Sequence, residues 1–239
     1  MKLLISSYLC LIVFTTYSQN LVTTSHFSRT FNIHKDKSSG TGFIINHKNK
    51  HYWITAKHVL GAVSNNQEVE FLVRKDTNWV LVKGSVLIHS NPEIDIAVIS
   101  PKDTSFIESF ELDHISISIG EEGFFLGFPF GLNMPDKDMI NNGFPIALVK
   151  RCTLSGYSNK QGVVLLYLDG SANPGFSGGP VFFKSNDNKK LHMVAVIAGY
   201  LTQKNTSESP SGKFDYHENS GIILAYGSNH IIEIINQKK

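Results

Sequence analysis

Cysteine is scarce in this sequence. There are two, Cys10 and Cys152. Cys10 falls in a leader-like stretch, so the body of the chain holds one thiol and no intrachain disulfide can form there. A chain without cross-links is held by its core. The 239 residues, 41% of them hydrophobic, suffice for one domain or two small packed subdomains. A single Cys152 is expected as an inert buried residue rather than a nucleophile. Concentrated charge is missing as well. The net charge is +2, and no basic stretch is denser than Lys189-Lys190 or Lys238-Lys239. An electrostatic nucleic-acid surface is thereby excluded. There is no internal repeat, no long low-complexity tract and no convincing helical period before Ser228.

The longest mostly apolar run, Leu3 to Phe14, is too short for an ordinary membrane span. It follows Lys2 and precedes Thr16 and Ser18, small residues at positions −3 and −1 of a cut before Gln19. That is the pattern of a secretory signal over residues 1–18. Tyr8-Leu9 before Cys10 are not the small residues of a lipid-attachment site, so no membrane anchor is expected. The reading is an exported chain, secreted or periplasmic, and the lack of disulfides leans towards a bacterial setting.

From about Thr41 to Tyr200 the pattern is of short runs rich in β-branched residues, punctuated by Gly, Asn and Pro. Thr41 to Ile45, His51 to Thr55, Val69 to Val73, Trp79 to Val82, Ile94 to Ile99 and Gly123 to Leu126 are examples. Such spacing predicts antiparallel barrels or sandwiches rather than a parallel α/β sheet. Asn46 to Lys50 reads as a hairpin loop. Pro101 to Ser118 reads as a connection between two halves, with strands resuming at Ile119. Ser185 to Lys190 and Gln203 to Gly212 are polar enough to be exposed loops. Ser228 to Lys239 begins with an N-cap type residue, and Ile231, Ile232, Ile234 and Ile235 give one apolar face of a short closing helix.

Three stretches carry chemistry. Asn173-Pro174-Gly175-Phe176-Ser177-Gly178-Gly179-Pro180 places glycines around one serine, between apolar runs. A tight glycine hairpin would have the same composition. It is also what an acyl-transfer site needs: a hydroxyl nucleophile beside backbone amides, here those of Gly175 and Ser177, that can meet a developing oxyanion. In Trp53 to Leu60 a strand ends at Thr55-Ala56, and His58 follows where it can face a cleft. One histidine among ten means little alone. His47 and His51 flank the hairpin without an acid or thiol to complete a ligand set, so neither metal nor other cofactor is expected. In Ile94-Asp95-Ile96-Ala97-Val98-Ile99 an acid sits inside an apolar run, where it needs a donor unless it merely caps the turn after Asn91-Pro92-Glu93. Jointly the three supply an acid, a base and a serine in the order His58, Asp95, Ser177. α/β-hydrolases and subtilisins use other orders.

On Gly40-Thr41-Gly42-Phe43-Ile44, Thr55-Ala56-Lys57-His58-Val59, Asp95-Ile96-Ala97-Val98 and Gly175-Phe176-Ser177-Gly178-Gly179-Pro180, the chain resembles the trypsin-like (chymotrypsin-fold) serine peptidases of the bacterial HtrA/Deg kind. Leu126-Gly127-Phe128-Pro129-Phe130-Gly131 resembles that family's glycine-rich segment opening the second barrel. The likeness covers roughly residues 35 to 236. It implies an all-β fold of two packed six-stranded antiparallel barrels with a short C-terminal helix. The expected divisions are a signal over 1–18, an N-terminal arm over 19–34, a first barrel with His58 and Asp95 over 35–115, and a second barrel with Ser177 and the helix over 116–239. No PDZ module is expected.

The implied activity is endopeptidase action on a peptide or protein substrate through His58, Asp95 and Ser177, with Gly175 and Ser177 as the oxyanion hole. The implied pocket involves Ser171 and Ile197-Ala198-Gly199-Tyr200. It has no acid at its base in this register, so cleavage after Arg or Lys is not expected, although Asp169 lies two residues away. Phe176 stands where pancreatic-type enzymes carry an acid that receives the new N-terminal amine, so no such zymogen switch is expected. Two other readings stay open at this point: a latent pseudoprotease that binds peptides or a partner, and a non-catalytic β-barrel adhesin.

Overall fold

In Glu68–Lys75 the apolar Val69, Phe71 and Val73 recur at every second position and are buried, while the residues between them are more exposed. That period-2 pattern builds most of the chain, because it gives each strand one face for a core. The computed structural model describes residues 22–102, 109–112, 115–137, 141–185, 190–210 and 212–237. The expected signal segment and its cut before Gln19 lie outside the described residues, as do parts of the Pro101 to Ser118 connection and of the Ser185 to Lys190 loop.

The first sheet comprises β1 (Thr30–Lys35), β2 (Ser38–His47), β3 (Lys50–Ala56), β4 (Glu68–Lys75), β5 (Asn78–Ile88), β6 (Ile96–Pro101) and β7 (Phe110–Glu111). Its order is β1-β4-β5-β6-β3-β2-β7, and pairing of β1 with β2 closes six of these strands into a ring. Lys48 and Asn49, both at positive φ, turn β2 into β3, as the hairpin reading expected. The second sheet comprises β8 (Glu122–Gly127), β9 (Leu148–Lys160), β10 (Val163–Asp169), β11 (Pro180–Lys184), β12 (Leu191–Ser209) and β13 (Gly212–Gly227). It is a closed barrel in the order β10-β13-β12-β11-β8-β9. A four-residue helix, α1 (Thr24–Phe27), precedes the sheets, and α2 (Asn229–Asn236) closes the chain.

Each barrel has its own apolar interior. Trp53, Phe71 and Ile99 fill the first; Phe125, Leu168, Phe176 and Ile197 fill the second. A third cluster joins them, with Phe43 and Ile54 from the first barrel against Phe128 and Phe182 from the second and Ile231 of α2. The two barrels are therefore packed through a shared core.

Four local readings need correction. β1 begins at Thr30, inside the expected arm over 19–34, because Phe31 and Ile33 bury into the first barrel and the strand pairs with β2 and β4. Phe110–Glu111, placed in the connection, adds to β2 as a short parallel pair, the one departure from antiparallel order among the described strands. Strands resume at Glu122 rather than Ile119, since Gly120 at φ +91 makes a turn first. Gln203 to Gly212 is not a loop. Gln203 to Ser209 extend β12 and pair with β13 out to Ser209↔Gly212, held by ion pairs across the ribbon between Lys204 and Asp215 (2.6 Å) and Lys213 and Glu208 (2.5 Å). Composition alone conceals such cross-strand partners.

Candidate active site

His58 lies in a 3-10 turn, Lys57–Leu60, which β3 enters directly and Gly61 ends at φ +75. Val59 and Leu60 anchor that turn in the first core, so the histidine faces outwards. Asp95 immediately precedes β6 and is about one-fifth exposed, so the acid read as embedded in the strand stands at its threshold. One Asp95 oxygen accepts the His58 backbone N–H (2.9 Å) and the other meets the ring Nδ1 (2.6 Å). The Asp95 carbonyl accepts the Lys57 amide (3.2 Å). An ionised carboxylate only accepts, so Nδ1 carries the proton and Nε2 is left as an acceptor. The Asp95 hydrogen bond raises the His58 pKa above its ordinary 6.5, against burial, which lowers it.

Ser177 is in the loop before β11. Three contacts bring that loop to the first barrel: the Ser177 carbonyl accepts the Thr41 amide (2.8 Å), the Gly175 carbonyl accepts the Thr41 hydroxyl (2.7 Å), and Gly178 lies against Thr55-Ala56, two residues before His58. At φ +84, with a Cβ that would fall 2.2 Å from the Thr41 carbonyl, position 178 admits only glycine. The Ser177 hydroxyl donates to the Ala198 carbonyl (3.2 Å), and among the described residues no hydrogen bond links it to His58. The acid–base half of the set is joined, while the serine is turned towards β12.

The amides beside Ser177 have a defined direction. Phe176 N–H bonds back to the Asn173 carbonyl (3.1 Å), and Gly175 has φ +105, so Asn173 to Phe176 form a type II turn. The Pro174 carbonyl accepts the Phe130 amide (2.8 Å). The peptide is trans, so the Gly175 N–H points the opposite way, away from the Phe128–Phe130 backbone that crowds its other side. Neither the Gly175 nor the Ser177 amide has a protein acceptor among the described residues.

Thr41 holds this arrangement. Wholly buried, its hydroxyl donates to Gly175 and accepts the Phe128 amide (3.1 Å), and its carbonyl accepts the Thr55 hydroxyl (2.8 Å). Neither this role nor that of the Phe130 amide was read from the sequence. The visible signal for the first was a threonine between two glycines in an apolar strand, whose buried hydroxyl must find partners.

Of the expected pocket residues, Ala198, Gly199 and Tyr200 are half-buried, and a Cβ on Gly199 would meet only open space. Ser171 is exposed, and its carbonyl accepts the Lys150 ammonium, a cation that sequence reading did not place there. Ile197 does not join them. Its side chain lies in the second core, and its amide and carbonyl are taken by Gly179 and Gly178. Asp169 ends β10 facing outwards. Burial pushes the Cys152 thiol up to about 12, as suits an unreactive core residue.

One group of ligand-type side chains lies elsewhere. His89, His230 and Glu233 bring ligand atoms within 4.8 Å of one another. His230 Nε2 accepts the Val164 amide (2.9 Å), so its Nδ1 holds the proton and donates a hydrogen bond to Glu233 (2.6 Å). With both of its ring nitrogens engaged, His230 fastens α2 to β10 and has no lone pair left for a metal.

Residues 40–191, more than half of the chain, match the family described as the trypsin-like peptidase domain. No curated protein matches the sequence. Among solved structures, the serine endoprotease of Yersinia pestis is similar at TM-score 0.60 and 16% identity, over 89% of this chain and 63% of its own. The HtrA-type protease AlgW with a tripeptide is similar at TM-score 0.60 and 19% identity, over 89% and 60%. A Mycobacterium tuberculosis protease in its active form gives TM-score 0.59 and 13% identity, over 91% and 83%. The chain thus spans about three-fifths of the length of the first two, and at these identities the likeness is one of fold.

Proposed function

The chain belongs to the trypsin-like peptidase family, and from that premise we propose that it is an exported serine endopeptidase acting through His58, Asp95 and Ser177. Ser177 Oγ rotates from Ala198 to His58 when substrate enters. Nε2 takes its proton as the oxygen attacks the scissile carbonyl, and the imidazolium then gives that proton to the leaving amine. The acyl group stays on Ser177 until water, activated by the same base, releases it. The Gly175 and Ser177 amides receive the oxyanion in both halves of the reaction. The observation that carries this reading is the type II turn at Pro174-Gly175, which aims the Gly175 amide away from its own backbone support. Labelling by a fluorophosphonate probe tests it: the wild type is expected to label and Ser177→Ala is not.

A second reading has one observation in its favour, the Ser177 hydroxyl bonded to Ala198 instead of His58. It is that of a latent relative that binds peptides without cutting them. Well-folded wild type that takes no label would support it over the first.

Two expectations follow from the proposed site. Thr41→Val keeps the shape of the side chain but strands the Gly175 carbonyl and the Phe128 amide. The turn loosens, and kcat is expected to fall roughly 10²-fold, with a smaller change in KM. Thr41→Ser, which keeps the hydroxyl, should restore most of it. The second concerns specificity. Asp169, the nearby acid in sequence, is exposed at the end of β10, and the Lys150 ammonium sits on the Ser171 carbonyl. Peptides with a small or medium apolar residue before the scissile bond should be cut at least ~10-fold faster than those with Arg or Lys there. A library that returns strict Arg/Lys preference would overturn the assignment of the pocket.

A further inference from the structure

The outer half of the β12–β13 hairpin is a two-stranded ribbon standing off the barrel. β11 leaves β12 after Pro180↔Val196, and β10 leaves β13 after Asp169↔Ile222. Beyond those points the register Thr202↔Asn219 to Ser209↔Gly212 continues with no third strand on either side among the described residues. Leu201–Ser209 would measure about 30 Å if extended. Unpaired edges of that length are ordinarily shortened, covered or guarded, because they recruit other strands.

Its place in the fold gives this edge a use. Register shifts on either side of Ala198 and Leu201 free both residues from β13, and the Ala198 carbonyl reaches Ser177. The same strand therefore borders the candidate catalytic serine and then runs out into the ribbon. The ribbon's base is tied to the pocket segment: the Asn219 amide donates to the Ala172 carbonyl, Gly170 N–H to the Gly221 carbonyl (2.9 Å), and Ser220 Oγ to the Leu201 carbonyl (2.9 Å). The ribbon's two faces differ. Lys204, Asp215, Glu208 and Lys213 are ion-paired on one, while Phe214 and Tyr216 stand exposed on the other.

We propose that β12 beyond Tyr200 is an extended substrate site, at which the segment upstream of the scissile bond adds as a strand to the free edge of the ribbon. The partner is an unfolded or extended polypeptide, recognised through its backbone. Apolar residues of that partner on the Phe214 and Tyr216 side add contact area. This rests on the peptidase reading for the identity of the cleft, and it makes long unfolded chains better substrates than short peptides.

The test compares quenched peptides that share one scissile sequence and extend about four or about twelve residues upstream of it. Wild type is set beside a variant in which residues 203–218 are replaced by Asn-Gly, which closes the hairpin after Thr202. Wild type is expected to favour the long peptide by about 10-fold or more in kcat/KM, the net effect of a few added backbone hydrogen bonds. The shortened variant should treat both peptides alike, and N-methylation of alternate upstream residues should remove the advantage in wild type. Equal rates on both peptides in active wild type would overturn the proposal and leave the peptidase reading standing. If wild type cuts neither peptide, binding of the labelled peptides to Ser177→Ala decides. Tighter, ribbon-dependent binding of the long one upholds the site without the chemistry, and equal binding rejects it. Loss of a dimer on shortening the ribbon would show that a second copy occupies the edge, which also overturns it.

Discussion

Ser177→Ala is expected to lower kcat on a peptide substrate roughly 10⁴-fold or more, with a far smaller change in KM. On the proposed reading the alanine removes the nucleophile and nothing that shapes the loop. The Ser177 carbonyl still accepts the Thr41 amide, Gly178 still packs on Thr55-Ala56, and the Pro174 carbonyl still fixes the direction of the Gly175 amide. The proposed binding groups and oxyanion donors survive, so what should remain is the activity that those groups supply unaided. His58→Ala should cost about as much, because a serine without its base is a weak nucleophile. The double variant should be no worse than either single one, since the two residues act as a unit. Single-turnover rates on all three variants check this. If the losses of the single variants multiply in the double, the two residues do not act as a unit, and if Ser177→Ala keeps more than about one-hundredth of the wild-type kcat, the serine is not the nucleophile.

The residues of this site were legible in sequence to different depths. His58, Asp95 and Ser177 stood out because each conflicts with its surroundings: a carboxylate at the mouth of an apolar strand, a histidine where a strand ends, a hydroxyl among glycines. Local sequence shows such conflicts. What it does not show is the partner across the fold. Thr41 is 134 residues from Gly175, and only closure of both barrels sets its hydroxyl on that carbonyl. Phe130 contributes a backbone amide, which has no residue type to betray it. Reading the pocket strand as a block does not resolve its alternation of faces, by which Ile197 takes the core side. The ribbon was misread because polar composition resembles a loop until Lys204 and Lys213 are seen opposite acids. The barrel architecture was accessible because it rests on period-2 burial, which each strand carries within itself.

Asp95→Asn is expected to lower kcat by about 10⁴-fold at neutral pH and to move the acid limb of the rate profile to lower pH. The first effect comes from the tautomer. Asp95 accepts the Nδ1–H hydrogen bond at 2.6 Å and so leaves Nε2 as the acceptor, whereas an asparagine amide can donate to Nδ1 instead and so place the ring proton on Nε2. The ring then has nothing to accept the serine proton with. The second effect comes from charge. Asp95 raises the His58 pKa through its hydrogen bond, with burial opposing. In wild type the base form is lost as pH falls through a value above 6.5, so kcat/KM should decline there. Without the carboxylate the raising influence is gone while burial still favours the neutral ring, so the residual activity of the variant should persist to lower pH. The backbone contact of Asp95 with His58 N–H can be kept by the asparagine carbonyl, so the fold of the Lys57–Leu60 turn should survive, which circular dichroism would register. A variant that folds and loses less than 10-fold in kcat, or whose acid limb moves upwards, would mean that Asp95 fastens the turn and does not tune the base.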